Sequence, residues 1–333
     1  MRQKIRLLVG MIGILVLILD SRLALTAATS GMDVCIRAVI PSLFPFFFFS
    51  GLMTDGLKGV TLPFSRQISC LLKIPSHAAG LWLIGLLGGY PVGAQAVAQA
   101  VTNGSIHPKD GRRMLAFCNN CGPAFIFGII GSTFEQFWMV AALWAIHIIS
   151  SLVCAMAVPG EVNSNKEFPK EDSSMRDVLK RSIFVMAQVC GWIILFRVLL
   201  SFIEHWFGFL LSREPMVALS GLLELSNGCL ALDSIEDIPT RFILCSGMVS
   251  FGGLCVTMQA LSVCPKQLQT DLYLPGKCLQ CGCSIVLSSG LMLCVYHNTY
   301  VELFLFGAAI TAIGMIFLHI HEKRSRFLRG AII

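Results

Sequence analysis

The sequence predicts an all-α polytopic membrane protein of about eight to ten membrane segments, in two related halves with broken or re-entrant helices. Hydrophobic residues make up 55% of the 333 and charged residues 13%, against roughly 25% charged in soluble domains. Mean hydropathy is +0.75. Apolar runs near the bilayer-spanning length of about 20 residues recur at 5–26, 34–54, 78–102, 114–133, 136–158, 180–203, 215–232, 240–262, 277–296 and 302–320. Two of them carry glycine, proline and glutamine where a lipid-facing helix would not: GGYPVGAQ at 88–95 and FGGLCVTMQ at 251–259. Backbone polar groups in hydrocarbon must be satisfied internally, so broken helices survive there when buried in protein or lining a cavity. Breaks in corresponding positions of two halves point to a transporter-type substrate site.

In chain order, residues 1–30 read as an N-terminal membrane helix. Arg2, Lys4 and Arg6 precede an apolar run at 7–19, and small residues stand near Ala27 and Ala28. That is the form of a secretory signal, but with many later spans an uncleaved signal anchor is the better reading. A first half fills 31–158, within which 57–76 interleaves leucine and isoleucine with Lys58, Arg66 and Lys73, a mixture suited to an amphipathic helix in the interface. The only long polar stretch, 159–180, is a solvated linker, and a second half follows at 181–320. A basic tail, 321–333, closes the chain. The cations near both termini and at 109–113 place tail and linker in the cytoplasm under the positive-inside rule, and the acidic loop 233–237 suits the outside. The net charge of +6 is therefore topological, with no nucleic-acid motif beside it.

Each half presents a broken segment, a Gly-rich helix with a glutamine, and a Cys-x-x-Cys-Gly. The first half supplies PSLFP at 41–45, Gln95 and CNNCG at 118–122; the second supplies LELSNG at 223–228, Gln259 and CLQCG at 278–282. Whether the halves are parallel or inverted depends on whether 206–232 crosses once or folds back.

Glu224 is the sharpest candidate, because an acid near mid-bilayer costs about 2.5–3.5 kcal/mol on insertion scales. It needs a cation, a helix N-terminus, an ion or a proton. Ser226, Asn227 and Gly228 let the helix unwind there and offer ligand atoms, while Arg197 offers a plain ion pair instead. Asn119 and Asn120 can donate and accept toward a solute, or serve as interhelical glue worth about 0.6 kcal/mol per contact. Gln95 and Gln259 share that ambiguity. Ser42, between Pro41 and Pro45, is expected at a hairpin tip or kink, since proline removes a donor and clashes with the preceding turn. Tyr90 completes the candidate ligand-binding set.

Fourteen cysteines do not form a disulfide scaffold, which belongs to short secreted domains. Cys118 with Cys121 and Cys278 with Cys281 have half a zinc or redox site's spacing, without further paired ligands. Packing is the stronger reading, and no metal or cofactor is expected. His147 is expected to be a satisfied core histidine, with a proton relay the less favoured role. Neither an ATPase nor a membrane hydrolase has its motif here, so the chain is not expected to be an enzyme.

PSLFPFF at 41–47, GYPVGA at 89–94, FCNNCGPAF at 117–125, LELSNG at 223–228 and FGGL at 251–254 followed by Gln259 resemble, in that order, the motifs of the bacterial sporulation integral membrane protein YlbJ family. That family contains the nucleoside-recognition or Gate domain, also found in concentrative nucleoside transporters and ferrous-iron permeases. The resemblance covers roughly 30–300. It implies a multi-pass protein of the cytoplasmic membrane of a spore-forming bacterium, in the forespore or mother-cell membrane, acting in spore cortex formation. Cys255 and Thr257 in the glutamine motif, and CLQCGC at 278–283, depart from the pattern.

The expected function is transport of a small polar solute by a lipid-embedded bundle, and coupling to H⁺ or Na⁺ would suit the single buried acid. A homo-oligomer is compatible with such a bundle. The alternative is a non-transporting assembly protein of a sporulation membrane complex, and a weaker third is a membrane-embedded enzyme or redox carrier using the cysteines.

Overall fold

The computed structural model of the chain describes residues 2–56, 63–160, 174–296 and 301–330. Its helices are α1 (Arg2–Leu19), α2 (Ser21–Val34), α3 (Ile40–Gly56), α4 (Ser65–Leu72), α5 (Ala79–Gly88), α6 (Val92–Thr102), α7 (Pro108–Cys118), α8 (Pro123–Gly128), α9 (Phe137–Ala157), α10 (Met175–Phe207), α11 (Arg213–Leu223), α12 (Leu225–Ala231), α13 (Ile238–Phe251), α14 (Gly253–Ser262), α15 (Tyr273–Tyr296) and α16 (Val301–Gly330). The chain is an all-α polytopic membrane protein. Among the described residues six stretches are long and apolar enough to cross a membrane: Ser21–Gly56, Phe137–Ala157, Met175–Leu210, Ile238–Ser262, Tyr273–Tyr296 and Val301–Ile320.

Ten apolar runs become six such spans because three fold as half-length helices and the first, 5–26, is divided between α1 and α2 at Asp20. The run 78–102 divides at 89–91, 114–133 at 119–122, and 215–232 at Glu224. Local chemistry sets several starts. His107 accepts from the Lys109 N–H at 3.2 Å ahead of Pro108, Ser174 caps α10 through the Asp177 N–H at 3.3 Å, and Asp237 caps α13 through the Thr240 N–H at 2.9 Å. Each cap satisfies an orphan donor of a first turn. Residues 175–180, expected in the linker, are thus the first turns of α10; the linker's 161–173 lies outside the described residues.

Two bonding clusters define the ends of the bundle. At one, the Arg113 guanidinium donates to the carbonyls of Leu72, Lys73, Ala155 and Val158 at 2.6–3.1 Å. Nearby Arg112 grips Asp271 with two bonds of 2.7 and 2.6 Å, and Asp55 accepts from Gln99 and Arg181 at 2.6 and 2.8 Å. At the other end Arg241 donates to the Ile235 and Thr133 carbonyls, and Arg213 to that of Ser234. Gly314 of α16 lies against Leu279 and Gly307 against Ile285, so α16 runs antiparallel to α15 and returns the tail to the Arg113 end.

Residues 109–113, expected in a loop and found in the first turns of α7, therefore share one end with the start of α10 and the end of α16, with 233–237 at the other. If the basic end faces the cytoplasm, an impermeant maleimide applied outside intact cells labels Glu236→Cys in a cysteine-depleted background and reaches Arg176→Cys only after permeabilisation. The reverse pattern overturns that orientation.

The segment at 41–45 corrects the expected hairpin tip. Ser21–Gly56 runs through as one helix, with a π-helical turn at Cys35–Val39 directly before Pro41. Pro41 cannot donate to the preceding turn; the wide turn accommodates the defect, and Ser42 Oγ donates to the Ala38 carbonyl at 2.6 Å and lies 3.2 Å from that of Val39. Wide turns of this kind are a known way to interrupt a helix without ending it. The second half of the expected interfacial helix forms α4, which turns 100° from the stretch beginning at Ser76; its other half, 57–62, lies outside the described residues.

Candidate functional site

Two helical hairpins enter from opposite ends. The pair α5–α6 starts and finishes at the Arg113 end, where His77 Nε2 lies 3.0 Å from the Ser105 carbonyl, and turns at Gly89 (φ +77°) and the cis Tyr90–Pro91 peptide. The pair α11–α12 starts and finishes at the Arg241 end and turns at Glu224. Residues 206–232 thus fold back.

Each hairpin is straddled by a broken helix. The Cys118 carbonyl at the end of α7 is wedged against the first hairpin: a Cβ on Gly85 would sit 1.8 Å from that oxygen, and one on Gly93 2.0 Å. Met248 of α13 fills the same place on the second, against Gly221 and Gly228. The break between α13 and α14 then lies between the two tips. Gly252 (φ +84°) faces the Tyr90 ring, Gly253 (φ +80°) faces the Gly221 carbonyl and the Leu225 N–H, and Tyr90 Oη donates to the Val249 carbonyl at 3.0 Å.

Around the first tip lies a buried polar network. Asn119 is fully buried, its Oδ1 accepting from the Ala94 N–H at 3.2 Å and its Nδ2 donating to Tyr273 Oη at 2.9 Å. Asn120 donates to the Phe117 carbonyl at 2.7 Å and accepts from Gln280 Nε2 at 2.9 Å. Lys277, from α15, places its ammonium against the Asn119 carbonyl, Gln280 Oε1 at 2.7 Å and Tyr90 Oη at 3.3 Å. His147 Nε2 accepts from the Cys121 N–H at 3.0 Å, which puts the ring proton on Nδ1. Nδ1–H then donates to Ser250 Oγ at 3.1 Å, and Ser250, Ser284 and Ser150 continue as a chain of hydroxyls ending on the Ile146 carbonyl. His147 is a satisfied core histidine.

The second tip is built on charge. Glu224, 3% exposed, is the N-cap of α12: one carboxylate oxygen accepts from the Ser226 N–H at 3.1 Å, the other from the Asn227 N–H at 2.8 Å. Of the partners such an acid needs, the fold supplies a helix N-terminus. No ion pair joins Glu224 to Arg197 among the described residues; Arg197 donates to Asn227 Oδ1 at 2.6 Å, and its buried Nε has no partner. Removing the charge by Glu224→Gln leaves one acceptor where two serve, an expected loss of about 1–2 kcal/mol with the protein still inserted. Adding Arg197→Gln should not restore it, since the guanidinium is bonded to Asn227. Thermal unfolding of the single and double variants checks this, and a double variant that regains the wild-type midpoint would reveal a direct pair.

Of the sequence candidates, Tyr90, Asn119 and Asn120 meet at the first tip, with Gln95 one turn along α6. Glu224, Ser226 and Asn227 form the second tip. Gln259 is buried in α14 and donates to Cys255 Sγ at 3.3 Å. Ser42 is on an exposed helix face, its hydroxyl bonded to the Ala38 carbonyl within its own helix. Lys277, Gln280 and Ser284 were absent from the candidate set. Their signal is a polar stripe at helical spacing in an apolar helix, Tyr273, Lys277, Gln280, Ser284 and Ser288, which the conspicuous cysteines between them mask.

The architecture defines a class, an integral membrane protein with paired re-entrant hairpins. Within it, the chain is related to a sporulation membrane protein. It is similar to the sporulation integral membrane protein YlbJ of Bacillus subtilis (strain 168), 29% identical over 138 residues, which is 40% of this chain and 33% of that protein. The match thus spans about a third of the relative's length. No family model matches the chain, so the Gate-domain expectation has no such support, and no solved structure matches it.

Proposed function

We propose that the chain transports a small polar solute across the bacterial cytoplasmic membrane, binding it where the two hairpin tips meet the α13–α14 break. One observation carries this reading. Tips entering from opposite ends converge on one helix break, while Gln95 Oε1 and Arg197 Nε, on α6 and α10 beside them, are buried with no partner in the protein. An unsatisfied buried polar atom costs about 1–3 kcal/mol, and a polar solute would offset that cost. Opposite entry of the hairpins supports two halves related by inversion, the arrangement in which half-helix ends gather at a mid-membrane site. Coupling to H⁺ or Na⁺ and a role in spore cortex formation belong to the proposal; the similarity to a sporulation membrane protein supports the second.

A non-transporting assembly protein is the second reading. The network around Asn119, Asn120 and Lys277 favours it, because those groups satisfy one another and need no ligand. Thermal unfolding of purified protein against nucleosides, amino acids, peptidoglycan precursors and metal ions separates the two. A transporter has its midpoint raised by one solute class, and Gln95→Leu or Arg197→Gln abolishes that response. An assembly protein responds to none.

A further inference from the structure

The Lys277 ammonium is held by oxygen alone. A backbone carbonyl (Asn119), an amide carbonyl (Gln280) and a phenol (Tyr90) each take one of its three N–H donors. Among the described residues no carboxylate pairs with it. The carbonyl is one an unbroken helix would have used internally; it is freed because α7 stops at Cys118 and Asn119 turns extended. A freed carbonyl joined by neutral side-chain oxygens gives the surroundings in which proteins replace the hydration shell of a monovalent cation. An ammonium and a potassium ion are nearly the same size, and the end of α7 carries the negative pole of its helix dipole.

We infer that the Asn119, Gln280 and Tyr90 oxygens form a monovalent-cation site that Lys277 fills with its own tethered cation. The stem reaches it because α15 presses on α7 at the preceding residue, where a Cβ on Gly276 would meet Ala116 at 2.6 Å. The wild-type protein therefore needs no dissolved cation at this position, so any Na⁺ coupling has to act elsewhere. The inference stands on this geometry and does not rest on the transport reading.

The test compares wild type, Lys277→Ala, which vacates the cradle, and Lys277→Met, which fills it without charge. Thermal unfolding is followed in potassium, ammonium, sodium and N-methylglucamine chlorides at equal ionic strength. Lys277→Ala is expected to gain several degrees in potassium or ammonium over N-methylglucamine, a mass-action stabilisation, while wild type and Lys277→Met show no difference between salts. A folded Lys277→Ala protein indifferent to the cation, or the same response in all three proteins, overturns the inference. Should Lys277→Ala not fold in N-methylglucamine, extraction in ammonium or potassium chloride decides: recovery of folded protein there supports the site. Failure in every salt while Lys277→Met folds contradicts it.

Discussion

Gly93→Ala is expected to abolish folded protein. Its Cβ would stand 2.0 Å from the Cys118 carbonyl oxygen and 2.8 Å from the carbonyl carbon. Both are backbone, so relief requires α6 and α7 to part by about an ångström, and no rotamer change suffices. Parting them strains the Ala94 bond to Asn119 and the Lys277 contact to the Asn119 carbonyl, and stranded polar groups in a low-dielectric interior are costly. Overpacking alone costs about 1–3 kcal/mol; the lost network adds to it. Detergent-extracted Gly93→Ala should run as aggregate on size exclusion. Gly191→Ala, whose new methyl meets nothing within 4 Å, should be neutral or slightly stabilising, because alanine is the better helix former. A monodisperse Gly93→Ala protein with the wild-type midpoint would mean that the hairpin and α7 do not cross as described.

Arg113→Ala has the next largest expected effect. Arg113 is 4% exposed; its guanidinium lies over the Phe117 ring at 5.4 Å and serves four carbonyls at the C-terminal ends of α4 and α9. These are acceptors that helix ends leave unpaired, and a cation there also answers the helix dipoles. Truncation strands four neutral acceptors together, at an expected cost of about 3–5 kcal/mol when each buried carbonyl left unpaired costs about 1 kcal/mol. The thermal midpoint should fall on the order of 10 °C. Arg113→Lys keeps the charge but not the planar fork, so it should recover a minor part. An Arg113→Ala midpoint within a degree or two of wild type would remove the clamp from the account.

The class and the breaks were readable in the residues because each rests on a local rule. Apolar length announces the spans, and Gly89, Gly252 and Gly253 take left-handed backbone conformations that glycine adopts at little cost. Glu224 stood out because an acid in an apolar run demands a partner. The sequence could not tell which partner, since a helix N-terminus supplied three residues ahead and an arginine elsewhere on the chain are equally available on paper. Pro41 misled for a related reason: a π-turn absorbs a proline, and that solution depends on neighbours along the whole helix. Lys277 was missed because it stood at the edge of an assigned span, where a lysine ordinarily reaches for water; its burial comes from α7 stopping one turn short beside it. The two Cys-x-x-Cys-Gly stretches look alike yet differ in structure, one forming the break at 119–122 and the other lying inside the unbroken α15.

Solute uptake into proteoliposomes tests the central claim most directly. Purified protein is reconstituted with an imposed gradient of H⁺ or Na⁺, and labelled nucleosides, amino acids and peptidoglycan precursors are offered. The account predicts that one polar class accumulates above protein-free vesicles and that folded Gln95→Leu and Arg197→Gln proteins lose the accumulation. Wild-type protein that is folded and inserted, yet moves none of them and is stabilised by none, would contradict it in favour of the assembly role.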